Sequence, residues 1–135
     1  MLDDLGLVCM TDPLSPTSEA YRTLRMNLQF AALDTHLRTV LITSAGPDEG
    51  KSTTLANLAV TVAQAEQSVV MIDSDLRRPG LHRLFGLANE TGLTTMMLDE
   101  RSLDEALLQA TGVEGLRLLA SGPLPPRRLR RTRRY

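Results

Sequence analysis

A glycine-rich segment with one lysine and two hydroxyl side chains, AGPDEGKST at residues 45–53, is the part of the sequence best suited to chemistry. A loop that binds phosphate needs inward-pointing backbone N–H groups, small residues near the anion, and a helix N-terminus behind it. In such a loop Lys51 reaches the β- and γ-phosphates, Ser52 ligates Mg²⁺ and Thr53 assists near the α-phosphate. We therefore predict a binding site for a nucleoside triphosphate and Mg²⁺ formed by Ala45, Gly46, Pro47, Asp48, Glu49, Gly50, Lys51, Ser52 and Thr53.

A second group of polar side chains follows an apolar run, in the sequence VMIDSDLR at residues 70–77. Ligands of open α/β sheets bind at the carboxyl ends of the strands. Side chains two residues apart on a strand point the same way, so we expect Asp73 and Asp75 to face the phosphate loop. They would serve Mg²⁺ and an incoming hydroxyl group, with Arg77 assisting in nucleotide binding. The alternative is a solvated strand end with a charged turn.

The periodicity of apolar residues indicates the elements that position these groups. Cap residues and helical spacing predict a helix over 17–33, and a second helix is predicted over 50–64. Short β-branched runs at 39–43 and 68–73 predict strands buried on both faces. The two strands and the helix between them would form a βαβ unit with a right-handed crossover.

Beyond this unit the sequence predicts short helices at 81–85, 94–98 and 103–109, and a third strand at 116–119. The fold class is therefore α/β, a parallel sheet of about three strands with flanking helices, of the P-loop NTPase type. Residues 1–14 read as a flexible lead-in, because Asp, Gly and Pro interrupt any period. Residues 127–135 read as an Arg-rich disordered tail.

Composition limits the remaining possibilities. The chain has 135 residues, 42% of them hydrophobic, which is enough for one compact core of aliphatic side chains. A single cysteine, Cys9, excludes an internal disulfide, and we expect it to be a small buried hydrophobe. No apolar run approaches the roughly 20 residues of a membrane span, so a cytoplasmic location is expected. Few aromatic residues argue against a specific nucleic-acid partner.

Several longer motifs resemble the bacterial tyrosine kinases (BY-kinases) of capsule and exopolysaccharide synthesis, over roughly residues 15–126. They are SPTSEAYRTLRMNLQF, TSAGPDEGKSTTLANLAV, VVMIDSDLRRPGLHRLFGL, NETGLT and LASGPLPP. The MinD and ParA ATPases of the same P-loop class carry a second lysine where this chain has Gly46, which favours the kinase branch.

The resemblance implies roles for particular residues. Lys51 and Ser52 would bind ATP and Mg²⁺, and the Walker A′ residues Asp73 and Asp75 would hold metal and activate a tyrosine hydroxyl, with Asp73 expected at the hydroxyl. An ExxRxxR pattern would mediate ring-type self-association through Glu19, Arg22 and Arg25. A membrane activator protein of polysaccharide export and protein tyrosine substrates are the other implied partners, with recruitment to the inner face of the membrane.

Two features depart from the family pattern. The family's Walker B motif lies beyond the SGP segment and has no counterpart before the chain ends at Tyr135, which is a poor substitute for the family's tyrosine cluster. We expect a C-terminally truncated domain whose Arg-rich end comes from a frameshift or truncation, with weak nucleotide binding and little kinase activity. A MinD/ParA-like ATPase that drives assembly and a non-catalytic nucleotide-binding fragment are the alternatives.

Overall fold

The computed structural model describes residues 6–100, 102–104 and 107–124, so the predicted tail lies outside the described residues. Helices and a small sheet alternate along the chain, which confirms the α/β class. The elements are α1 (Val8–Thr11), α2 (Pro16–Ala31), α3 (Lys51–Gln64), β1 (Val69–Ile72), α4 (Leu81–Leu84), α5 (Leu93–Leu98), β2 (Gln109–Ala110) and β3 (Leu116–Leu119).

The two long helices were predicted from sequence and are confirmed. Helix α2 begins where Ser15 accepts a hydrogen bond from the Ser18 amide at 3.1 Å, with Pro16 in the first turn. Both features satisfy or remove amide groups that a helix start leaves unpaired. Helix α3 begins directly at Lys51, after Gly50 in the left-handed conformation. The phosphate loop therefore leads straight into a helix N-terminus.

The described sheet has the strand order β1-β3-β2. Strands β1 and β3 are parallel, with Val69 opposite Leu116, whereas β2 is antiparallel to β3. The predicted strands at 68–73 and 116–119 are confirmed and pair in parallel as expected, and the antiparallel β2 makes the sheet mixed. Strand β1 is also exposed on one face, since Val70 and Ile72 are 45% and 46% exposed.

The predicted strand at 39–43 does not form. These residues have no ladder partner among the described strands, and Leu41 is 83% exposed. A β-branched run becomes a strand only when a neighbour supplies hydrogen bonds and covers its side chains. The predicted βαβ unit is therefore absent, and the parallel pair is β1 with β3.

The segment expected as a helix over 103–109 also differs. Gln109 belongs to β2, and residues 102–104 have no regular structure, while 105 and 106 lie outside the described residues. Leu107 has 3₁₀ backbone geometry and is buried at 3% exposure, so among the described residues of the predicted helix only this apolar residue is found in the core. A short amphipathic run does not distinguish helix from strand.

Residues 6–11 pack more tightly than expected. Leu7 and Cys9 are buried at 1% and 0% exposure, which confirms the reading of Cys9 but not that of a loose lead-in. The buried Asn57 of α3 holds this segment: its carboxamide accepts from the Cys9 amide at 3.0 Å and donates to the Gly6 carbonyl at 2.7 Å. Hydrogen bonds between one side chain and a distant backbone segment leave no periodic signal in the sequence.

The NETG segment, residues 89–92, is hydrogen-bonded to the turn after β3. Asn89 donates to the Gly122 carbonyl at 3.2 Å and accepts from its amide at 2.8 Å. Leu93 and Thr94 donate their amides to the carbonyls of Ala120 and Ser121, both at 2.8 Å. The NETGLT and LASGPLPP motifs therefore form one hydrogen-bonded corner beside the end of β3.

We predict that Gly92→Ala lowers the free energy of unfolding by roughly 1–3 kcal/mol, as overpacking of a core does. A Cβ at Gly92 would overlap the backbone carbonyl of Ala120, which cannot move without breaking the corner. Gly80→Ala is the control, because a Cβ there meets only Ser52 at an ordinary 3.7 Å. Urea unfolding of both variants checks this, and equal stability of the two would contradict it.

Candidate nucleotide-binding site

The phosphate loop takes its shape from two left-handed residues. Gly50 has φ 78° and Asp48 has φ 57°. Glycine adopts this conformation without strain, whereas aspartate is one of the few other residues that tolerate it. The Ser44 hydroxyl donates to the Gly46 carbonyl at 2.9 Å and closes the first turn of the loop. The chain thereby reverses direction within a few residues before α3 begins.

Lys51 crosses from this loop to the loop after β1. Its Nζ lies 3.1 Å from Oδ2 of Asp75, and both side chains are partly buried, at 34% and 25% exposure. The other oxygen of Asp75 accepts the amides of Arg77 at 3.1 Å and Arg78 at 3.0 Å. The structure therefore brings together the lysine and one aspartate that the sequence predicted to share a site.

The same contacts lower the pKa of Asp75 below its ordinary value. The amide of Arg78 is the largest cause, and Lys51 and the amide of Arg77 add to it, while partial burial opposes them. Hydrogen bonds and a nearby cation favour the charged form of a carboxyl group. Asp75 is thus an ionised carboxylate at neutral pH.

Asp73 has a different environment from Asp75. It is only 4% exposed, and its Oδ2 accepts the amides of Gly80 and Leu81, both at 3.1 Å. Its Oδ1 accepts the amide of Asp75, also at 3.1 Å. These bonds are directed into its own loop, so the structure places Asp75 rather than Asp73 against Lys51. The expected contact of Asp73 with an acceptor hydroxyl stays a prediction.

A cavity of about 350 Å³ lies over the loop. Most of the predicted phosphate-binding residues line it, and Asp75 completes its wall, whereas Ala45 and Arg77 do not contribute. Ser44 and Arg78 do contribute, and the sequence analysis missed both. Arg78 could have been noticed because it directly follows Arg77. The lining residues are Ser44, Gly46, Pro47, Asp48, Glu49, Gly50, Lys51, Ser52, Thr53, Asp75 and Arg78.

The residues predicted for self-association are only partly free. Glu19 and Arg22 form an ion pair at 2.9 Å within α2, with Glu19 69% exposed. Arg25 instead donates from Nη1 to the carbonyl of Thr61 at 2.6 Å and thereby joins α2 to α3. Its guanidinium is therefore committed within the chain, and the interface role of all three residues stays a prediction.

The phosphate loop, the strand end with two aspartates and the helices around a mixed sheet define a P-loop NTPase-like α/β domain. No family model matches the chain. Tyrosine-protein kinase YwqD of Bacillus subtilis is 49% identical over 121 residues, which cover 90% of this chain and 51% of YwqD. Putative tyrosine-protein kinase CapB of Staphylococcus aureus is 38% identical, over 84% of this chain and 50% of CapB.

Solved structures agree with these relatives. The kinase domain of the Escherichia coli tyrosine kinase ETK superposes with a TM-score of 0.81 at 36% identity, over 89% of this chain and 47% of that domain. The chimerical protein CapA2B2 gives a TM-score of 0.83 at 40% identity, over 90% of this chain and 53% of that protein. Over most of its length this chain is therefore similar to bacterial tyrosine kinases. It spans about half the length of the first two curated relatives.

Among the described residues, no helix combines the length and the apolar character required to cross a membrane.

We predict that the stabilising effect of Asp75 depends on pH. Because the folded state lowers its pKa, the carboxylate contributes stability above its ordinary pKa of 3.8 and loses it as the pH falls through the folded value. Asp75→Asn should therefore be less stable than the wild type at pH 7, and this difference should shrink at about pH 3.

Urea unfolding at both pH values measures this difference, with the exposed Asp34→Asn as the control. A difference between wild type and Asp75→Asn that stays constant across this pH range would contradict the assigned ionisation.

Proposed function

We propose that this chain binds ATP with Mg²⁺ in the cavity over residues 45–53 and serves phosphoryl transfer to tyrosine. The observation that carries the proposal is the 3.1 Å contact between Lys51 and Asp75 in one cavity, which joins the phosphate loop to the end of β1. The identity to tyrosine kinases supports the choice of nucleotide and acceptor.

The oxygen donors of the cavity fit a magnesium ion. The Ser52 hydroxyl and the ionised Asp75 carboxylate both line it. Magnesium prefers such ligands together with phosphate oxygens and water. When bound, the metal would neutralise negative charge on the phosphates. Asp73 has both oxygens engaged with backbone amides, so we propose that it contributes to the metal site by positioning Asp75.

The chain's own groups act by position and charge. The ammonium group of Lys51 has three N–H donors, so it can bind phosphate oxygens with or without its contact to Asp75. The first residues of α3 line the same cavity, and the N-terminus of a helix favours an anion there. Asp75 is the more exposed carboxylate of the pair, and we propose that it accepts the proton of the tyrosine hydroxyl.

One count in the sequence supports the kinase over a MinD/ParA-like ATPase. Lys51 is the only lysine of the chain, so the second lysine of those ATPases has no counterpart at Gly46 or elsewhere in it. The implied self-association, the membrane activator and the link to polysaccharide export rest on the family resemblance, and we retain them as proposals.

The single lysine allows a direct test of nucleotide binding. We predict that Mg²⁺ and ATP slow the modification of Lys51 by an amine-selective reagent about tenfold or more at saturation, because the phosphates occupy its Nζ. AMP, which lacks the β- and γ-phosphates, should protect far less. Peptide mass spectrometry follows Lys51, with the α-amino group of the same chain as the internal control. Equal protection by ATP and AMP would contradict the assigned role of Lys51.

Phosphoryl transfer requires its own assay. The chain is incubated with ATP, Mg²⁺ and a tyrosine peptide, and phosphotyrosine and free phosphate are both measured. Phosphotyrosine that disappears in Lys51→Ala supports the kinase. Free phosphate without phosphotyrosine supports the ATPase, and protection of Lys51 with neither product supports a binding fragment.

A further inference from the structure

A second, larger cavity adjoins the phosphate-loop cavity. It measures about 530 Å³, within the range of sites that accept small molecules or peptide side chains. Asp48, Ser52 and Arg78 line both cavities, so the two meet beside the hydroxyl proposed to hold the metal. An occupant of the second cavity would therefore lie beside Ser52 and the phosphate loop.

The walls of this second cavity are strongly basic. Arg77, Arg78 and Arg83 line it, and Asp48 is the only acidic side chain there within the described residues. Asp48 pairs with Arg78 at 3.2 Å, and no ion pair to Arg77 or Arg83 is found within the part of the chain that the structure describes. Outside the arginine-rich end, the chain has nine basic and sixteen acidic residues, so this basic wall contrasts with its surroundings.

The arginines have a fixed backbone even though their side chains reach solvent. Asp75 accepts the amides of Arg77 and Arg78, and Asp73 accepts the amide of Gly80 just before α4, which carries Arg83. His82 in the same wall has its pKa lowered, mainly by burial and then by Arg83, so it adds little charge at neutral pH. The positive charge of the cavity is therefore that of the arginines.

From this arrangement we propose that the second cavity binds an acidic peptide segment next to the acceptor tyrosine. The inference rests on the proposed function, because the tyrosine must approach the shared boundary of the two cavities. Glutamate or aspartate beside the tyrosine would meet guanidinium groups, which suit carboxylates through paired N–H donors. The chain would then prefer tyrosines in acidic sequences, a preference carried by Arg77, Arg78 and Arg83.

Two fluorescent peptides test the preference in the absence of nucleotide. One carries glutamates on both sides of a single tyrosine, and the other carries glutamines at the same positions. Anisotropy titrations of the 135-residue chain at low salt should show tighter binding of the glutamate peptide, and raising the salt should reduce that difference. Removal of one arginine from exposed pairs of this type weakens binding about two- to fivefold.

Arg83→Gln is the decisive variant, and Arg117→Gln is its matched control, an exposed arginine on β3 outside the cavity. The arginines at residues 127–134 are present in both variants, so their own attraction for the acidic peptide cancels in the comparison. We expect Arg83→Gln to weaken binding of the glutamate peptide only, and Arg117→Gln to change neither peptide. Arg83→Glu should weaken the glutamate peptide further.

Three results would overturn the proposal. One is equal binding of both peptides, and another is an equal effect of Arg83→Gln and Arg117→Gln. The third is a loss of affinity for a single-stranded oligonucleotide in Arg83→Gln that equals its loss for the glutamate peptide. That result would identify a general anion-binding surface. Protection of Lys51 by ATP is measured on the same samples. Protection without a charge preference removes this proposal alone, whereas a charge preference without protection removes the nucleotide site alone.

Discussion

The buried carboxylate of Asp73 is the constraint on which the site depends. It accepts three backbone amides from the segment that follows β1, those of Asp75, Gly80 and Leu81. A buried polar group is tolerated only when hydrogen bonds satisfy it, and these three amides supply them. The segment from β1 to α4 is thereby folded around one side chain. It is anchored to β3 by a hydrogen bond that the backbone amide of Asp73 donates to the Leu119 carbonyl.

The fixed loop places the remaining groups. Asp75 projects from it toward Lys51, and Arg78 reaches the phosphate loop through Asp48. The three arginines of the second cavity extend from the same segment or from α4 directly after it. The two cavities are therefore linked by one short stretch of backbone, which is consistent with the proposal that they align a nucleotide and an acceptor.

Local patterns predicted those parts of the fold that need only local interactions. Helix α3 and the phosphate loop were recognisable because glycine, lysine and an apolar period occur in one continuous run. The prediction of a strand at 39–43 was wrong for the opposite reason, since a strand depends on a neighbouring strand that its own sequence does not encode. Asn57 was missed because its two partners, Gly6 and Cys9, lie far away along the chain.

The site was predicted with similar limits. The approach of Asp75 to the phosphate loop was expected, because ligands of open α/β sheets bind at the carboxyl ends of the strands. The different roles of the two aspartates were not predicted, because side chains two residues apart on a strand point the same way. Only the turn after β1 gives Asp73 and Asp75 different surroundings. Arg78 and Arg83 were not predicted as site residues, because only the tertiary fold brings them to the cavity that they share.

The central claim is that Asp73 positions the loop while Asp75 faces the nucleotide. Thermal unfolding of Asp73→Asn and Asp75→Asn, with and without Mg²⁺ and a non-hydrolysable ATP analogue, tests it in one experiment. The account predicts that Asp73→Asn lowers the unbound Tm by roughly 5 °C or more, whereas Asp75→Asn has a smaller effect but loses the magnesium-dependent part of the ligand-induced Tm increase. An unchanged unbound Tm in Asp73→Asn, together with loss of that increase, would show Asp73 to be the ligand and contradict the account.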